Sequence, residues 1–337
     1  MGQESQERRG SGHFTELDGM RGVLACTVML FHVGLNKLLA PATFGVLQRG
    51  EWGLSVDFFF ILSGFVLSQS FSRRPPTFTS YFAKRIRRLA PMFYVSTLCM
   101  LLMKPGASLV ELLANMLIVQ SLVDVRSINH PGWSIPFELY LPIFGVYLVA
   151  PLQKTANYVV WMLLVMGFLL GATAAVFLVL GHDVISLRAC AGLGTGMLLY
   201  RIRTLFGDRV GGRGCRFVVL LLFAATMLIM ATAVRWPVLA ALFHPVAALC
   251  ILLGANIHSV FSTAPFQALG RWSYSIYLLH VPVLNGFILL LGLNTMSGSV
   301  PWKATMLVLT IALAAFAYHF IERPFFSPKS QAAQSAP

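Results

Sequence analysis

Arg21 and His32 lie in one apolar run, eleven residues apart. On an α-helix that separation amounts to about 20° of rotation and ~16 Å of rise, so the two share a face. An ionisable side chain at the centre of a membrane helix costs roughly 2.5–3.5 kcal/mol on insertion scales, so it is expected to have a partner or a task. Arginine grips anions and imidazole moves protons; a structural histidine bonded to a neighbouring helix is the alternative for His32. Depth matching adds two acids, Glu138 in His130-Pro-Gly-Trp-Ser-Ile-Pro-Phe-Glu138 and Asp57 in Trp52-Gly-Leu-Ser-Val-Asp57. Both are expected near the level of His32, where a carboxylate would hold the imidazole tautomer and suit a general base. A purely structural polar network is the competing account.

A second constellation is Lys84, Arg85, Arg87 and Arg88, expected just before a span and on the same side as Arg21. Three guanidiniums and an ammonium together suit a polyphosphate ligand, although inner loops of membrane proteins are rich in basic residues in any case. Ser63, before Gly64, is either a nucleophile or part of a close helix contact made by that glycine. His280 is placed midway through a span with Tyr277 one turn away. His319 and His244 are read as local helix-end or backbone partners.

These side chains need membrane helices to position them. Of 337 residues, 57% are hydrophobic and 11% charged, and the mean hydropathy is +0.75. A soluble domain carries about 25% charged residues, so a water-soluble fold is excluded. The net charge of +13 comes from scarce acids, 12 against 25 Lys and Arg. The basic residues sit between apolar runs, which argues for loops at a membrane face rather than a nucleic-acid surface. The five cysteines form no CxxC pair and predict neither metal site nor disulfide framework.

Runs long enough to cross a bilayer fall near 19–39, 54–72, 89–103, 134–152, 158–180, 186–200, 217–235, 238–256, 272–292 and 303–321. Segment 108–123 is short and carries Glu111, Asn115 and Gln120; it either spans, re-enters or lies in the interface. Leaving it uncrossed puts most basic residues on one side. The expectation is an all-α, polytopic bundle of about ten transmembrane helices, with both termini cytoplasmic. Residues 1–13 form a polar tail, 14–326 the membrane domain and 327–337 a flexible tail. Residues 1–17 show no apolar signal-peptide core, so the first span is expected to remain as an anchor.

The residues singled out also carry a resemblance. The chain resembles the membrane-bound acyltransferase family 3 in Leu17-Asp-Gly-Met-Arg21 with ten residues before His32, in Val56-Asp57-Phe-Phe-Phe-Ile-Leu-Ser63-Gly64-Phe65, and in Arg85-Ile-Arg-Arg88-Leu-Ala-Pro. Further matches are Trp133-Ser134 with Glu138, Leu269-Gly-Arg-Trp-Ser273-Tyr-Ser-Ile-Tyr277-Leu-Leu-His280, and Glu322-Arg323-Pro324. The resemblance implies transfer of an acyl group, commonly acetyl from acetyl-CoA, to a hydroxyl of a glycan, glycolipid or other small acceptor. It also implies functional importance for the pairs Arg21/His32 and Arg85/Arg88. Some members carry an esterase-like C-terminal domain. This sequence ends soon after Pro324, so onward transfer is expected to need a partner or not to occur.

The expected mechanism places acyl-CoA, a donor substrate rather than a bound cofactor, with its phosphates on Arg21, Arg85 and Arg88. The thioester then lies near His32, with Glu138 or Asp57 supporting the base and Ser63, Trp133, Tyr277 and His280 in supporting positions. No metal is invoked. The expected partners are membrane lipids, acyl-CoA and a saccharide or glycolipid acceptor, in a cell membrane and specifically a bacterial inner membrane. A proton-coupled transporter would use the same intramembrane charges, and a non-catalytic component of a glycan export complex would bind no CoA.

Overall fold

The computed structural model of the 337-residue chain describes residues 14–34, 51–73, 77–152, 162, 165, 185–206, 213–232, 237–255, 257–292 and 300–326. Among them no strand occurs. The helices are α1 (Thr15–His32), α2 (Leu54–Arg73), α3 (Phe78–Met103), α4 (Leu109–Met116), α5 (Ile135–Leu152), α6 (Ile185–Phe206), α7 (Arg216–Thr232), α8 (Pro237–Gly254), α9 (Ala264–Leu291) and α10 (Val300–Ala317). The last continues through a π-helical turn, Tyr318–Glu322, into α11 (Arg323–Phe326).

Among the described residues, four stretches are long and apolar enough to cross a bilayer: Leu54–Ser72, Phe78–Met103, Ala264–Leu290 and Val300–Phe325. The protein is therefore an all-helical membrane protein. Of the expected span 158–180 only Met162 and Val165 lie within the described residues. Segment 108–123 holds no helix long enough to cross. It forms the short helix α4, closed at its start by a capping box in which the Ser108 side chain and the Glu111 side chain each take the other's backbone N–H. Arg85 and Arg88 are not in a loop before a span, because α3 begins at Phe78 and carries both within its own first turns.

Lipid tails are as apolar as leucine, so close packing and hydrogen bonds, rather than water exclusion, hold membrane helices together. Two glycine contacts show this. A Cβ on Gly22 of α1 would lie 2.6 Å from the Gly270 nitrogen of α9, and one on Gly64 of α2 would overlap the Leu193 carbonyl of α6. The glycine therefore does allow the close helix approach expected at Ser63-Gly64. The α1–α9 contact runs along both helices in parallel. Thr15 meets Ser262, in the turn just before α9, at one end (3.2 Å) and His32 meets His280 at the other.

The segment between α4 and α5 folds into the bundle instead of over it. Pro282 in α9 cannot donate to Leu278, four residues earlier. Asn129 fills that vacancy with its Nδ2, 2.9 Å from the Leu278 carbonyl. Gln120, fully buried, donates to the Gly132 carbonyl at 3.0 Å. A 3-10 turn, His130–Ser134, then feeds α5, so that α5 starts inside the bundle.

Candidate functional site

Helices α1, α2, α3, α5 and α9, with the turn after α10, surround a cavity of about 660 Å³. Arg21, Lys84, Arg85, Arg87, Arg88 and Arg271 line it, against the acids Asp18, Glu138 and Glu322. Six cations against three acids suit an anionic ligand with several charges. Arg21 is held in place on α9. Its Nε donates to Ser273 Oγ (3.0 Å) and its Nη2 to the Gly270 carbonyl (3.2 Å), while Asp18 pairs with it at 3.2 Å. Arg85 is buried and its Nη2 donates to the Glu138 carbonyl at 2.9 Å. That carbonyl is left over because Pro142 stands four residues on. Among the described residues the Arg85 Nε has no hydrogen-bond partner, and Arg88 makes no hydrogen bond to any of them. Glu322, 3% exposed on the π-helical turn, accepts from Ser275.

The far end of the α1–α9 pair carries the second cluster. His32 closes α1 and its Nδ1 donates to the Val28 carbonyl at 2.9 Å. That bond sets the tautomer and leaves Nε2 as the lone-pair atom, the arrangement a general base needs. The His280 ring lies 4.8 Å from it and the His130 ring 6.5 Å, centroid to centroid. His280 is 1% exposed, and among the described residues neither of its nitrogens makes a well-formed hydrogen bond, although the Ile276 and Tyr277 carbonyls of its own helix lie close by. Tyr277, one turn before His280, lines the cavity with Phe59 and Ser134. Its ring lies 6.1 Å from that of His280 and 6.1 Å from that of Phe59. His32 and His280 do not line the cavity; Tyr277 is the residue common to both clusters.

The two acids expected beside His32 are placed elsewhere. Glu138 sits among Arg21, Arg85 and Arg88 in the cavity, because the buried turn before α5 starts that helix deep in the bundle and carries Glu138 past the histidines. His130 takes the position beside His32 that was assigned to Glu138. Asp57, fully buried, is held by Arg188 of α6 through Nη2 at 2.7 Å and Nε at 3.2 Å. A buried carboxylate needs such a fork more than it needs an imidazole on the neighbouring helix. Ser63 lines the cavity without a described hydrogen-bond partner. Trp133 packs edge-on against Phe60 (6.1 Å) and Phe137 (6.5 Å) and is not in the cavity wall.

Sequence reasoning did not single out His130, Arg188, Arg271 or Glu322 as site residues. One signal was available: a proline four residues after Glu138, and another four after Leu278, each announces a carbonyl that must recruit a side-chain donor.

A family model described as an acyltransferase domain matches residues 14–319. No curated protein and no solved structure matches the chain.

Proposed function

We propose, because the chain belongs to acyltransferase family 3, that it moves an acyl group, acetyl in the first instance, from acyl-CoA to a hydroxyl of a saccharide or glycolipid at the cell membrane. The observation that carries this is the parallel pair α1 and α9, with arginines at one end and histidines at the other. A CoA diphosphate and 3′-phosphate suit the guanidiniums of Arg85, Arg88 and Arg21. An extended pantetheine arm is on the order of 15–20 Å long, matching the ~16 Å from Arg21 to His32 along α1. To reach His32 the arm must pass Tyr277, whose side chain has to turn aside.

His32 Nε2 takes the proton of the acceptor hydroxyl as its oxygen attacks the thioester carbon. Collapse of the tetrahedral intermediate breaks the C–S bond, and the CoA thiolate recovers the proton from His32. Glu138 belongs with the CoA phosphates in this scheme, where it keeps Arg85 and Arg88 oriented. Asp57 acts only through helix placement, by holding α2 to α6. The donor enters from the cytoplasm and the setting is a bacterial inner membrane.

The test is release of free CoA from labelled acetyl-CoA by purified protein in lipid nanodiscs with a mixed glycolipid acceptor pool. Turnover is expected from the wild-type protein and a loss of roughly 10²–10⁴-fold from His32→Ala. A protein that binds acetyl-CoA and never releases CoA would overturn the enzyme in favour of a carrier or an assembly subunit.

A further inference from the structure

We infer that His280 is a second catalytic residue, an uncharged N–H donor that holds the thioester carbonyl oxygen while His32 acts on the acceptor hydroxyl; this rests on the acyltransferase function proposed above. His280 is almost wholly buried in the middle of α9, yet neither ring nitrogen makes a well-formed hydrogen bond to a described residue. Each unsatisfied polar group buried in a protein costs about 1–3 kcal/mol. A phenylalanine or leucine would fill the same volume without that cost. The surroundings offer no compensation either, since no carboxylate touches the ring, and the described rings nearest to it are those of His32 at 4.8 Å and Tyr277 at 6.1 Å. An imidazolium has no counter-ion there. An uncharged imidazole with a free N–H does have a use, provided a ligand atom arrives.

The two histidines also differ in what their local bonds prepare. His32 spends its N–H on the Val28 carbonyl and presents a lone pair. His280 lies near the Ile276 and Tyr277 carbonyls of its own helix but makes no well-formed hydrogen bond to a described residue, so its N–H can turn to a ligand. With ring centres 4.8 Å apart, one small group inserted beside both rings can be touched by each. A thioester carbonyl carbon about to be attacked needs that division, with a base on the incoming hydroxyl and a donor on the oxygen that becomes negative. The Asn129 bond to the Leu278 carbonyl, two residues before His280, anchors this stretch of α9 and sets the His130 ring 6.5 Å from that of His32. The acceptor therefore approaches past His130 and the acyl chain past Tyr277. In the step itself, the acceptor O–C bond forms, the carbonyl π pair moves onto the oxygen held by His280, and the C–S bond then breaks. His280 neither gains nor loses a proton, whereas the hydroxyl proton passes through His32 to the thiolate.

Three variants in nanodiscs separate the roles: His280→Phe, which keeps an aromatic without a donor; His280→Leu, as a second apolar replacement should the phenylalanine not fold; and His280→Asn, which keeps an N–H donor. CoA release, KM for acetyl-CoA, and binding of CoA itself are measured for each. The apolar variants are expected to lower kcat by roughly 10²–10³-fold with KM and CoA binding little changed, and His280→Asn to recover a substantial part of the loss. Apolar variants that keep kcat within about threefold, or an asparagine variant no better than leucine, would overturn the donor role. His32→Ala run alongside tells the two readings apart. Its inactivity beside active His280 variants removes only the inference, whereas an active His32→Ala removes the proposed mechanism.

Discussion

The His32 and His280 rings lie 4.8 Å apart where α1 ends against the middle of the parallel helix α9, and Arg21, eleven residues before His32, is bonded to Ser273, seven residues before His280. One helix pair thus presents the same sequence of functions twice along its length, with cations and hydroxyls at one end and imidazoles at the other. Gly22 against Gly270 is what lets these two backbones run that close.

Gly22 is accordingly the position where packing and activity should fail together. Gly22→Val puts branched carbons into the Leu269–Gly270 backbone, and overpacking of this kind costs about 1–3 kcal/mol or more. Expected results are a lower unfolding temperature in nanodiscs and reduced CoA release. An unchanged melting curve would show that α1 can move away without loss.

Arg88 makes no hydrogen bond to a described residue and lines the cavity, so its guanidinium is available to a ligand. A charge-assisted hydrogen bond is worth about 1.5–3 kcal/mol. Arg88→Ala should raise the dissociation constant for CoA roughly 10–100-fold while leaving kcat at saturation close to wild type, measured by calorimetry and by CoA release. Arg85→Ala should also lower stability, because its donor to the Glu138 carbonyl is lost.

Asp57 and Arg188 separate a structural from a chemical role. Removing one partner of a buried pair costs about 3–5 kcal/mol, and replacing both with apolar residues is often neutral. Asp57→Leu alone should therefore unfold the protein at markedly lower temperature, and Asp57→Leu with Arg188→Met should restore both stability and activity. A double variant that is stable and inactive would return Asp57 to the chemistry.

At the start of α4, Glu111 accepts the Ser108 N–H and pairs with Arg126 (2.7 Å). The backbone bond from Ser108, with Arg126 adding to it, lowers the Glu111 pKa below the ordinary carboxylate range. A depressed pKa stabilises the fold above the unfolded value, and that contribution disappears as pH falls through the folded one. Protection of the 109–116 amides, relative to their intrinsic exchange rates at each pH, should therefore fall between neutral and strongly acid pH. In Glu111→Gln, whose amide oxygen can still accept the Ser108 N–H, protection should be lower at neutral pH and lose its dependence on this group.

The membrane class, most of the helices and the residues worth testing are legible in the chain, because hydropathy over about 20 residues and rare intramembrane charges are local properties. Arg21 and His32 on one face follow from helical periodicity alone. Which groups meet across helices does not. Glu138 and Asp57 share an expected depth with His32. Depth counted from span ends, however, assumes that α5 begins at the surface, and a side chain with two candidate partners goes to the one that compensates its charge best. The buried turn His130–Ser134 carries Glu138 to the arginines, Arg188 captures Asp57, and His280 with His130 arrives at His32 instead. Sequence by itself determined that this is a membrane helical protein with a base and an anion-gripping arginine on one helix. Only the tertiary structure decided the company each keeps, because partner choice depends on glycine-permitted helix crossings and on proline-freed carbonyls that recruit donors from far along the chain.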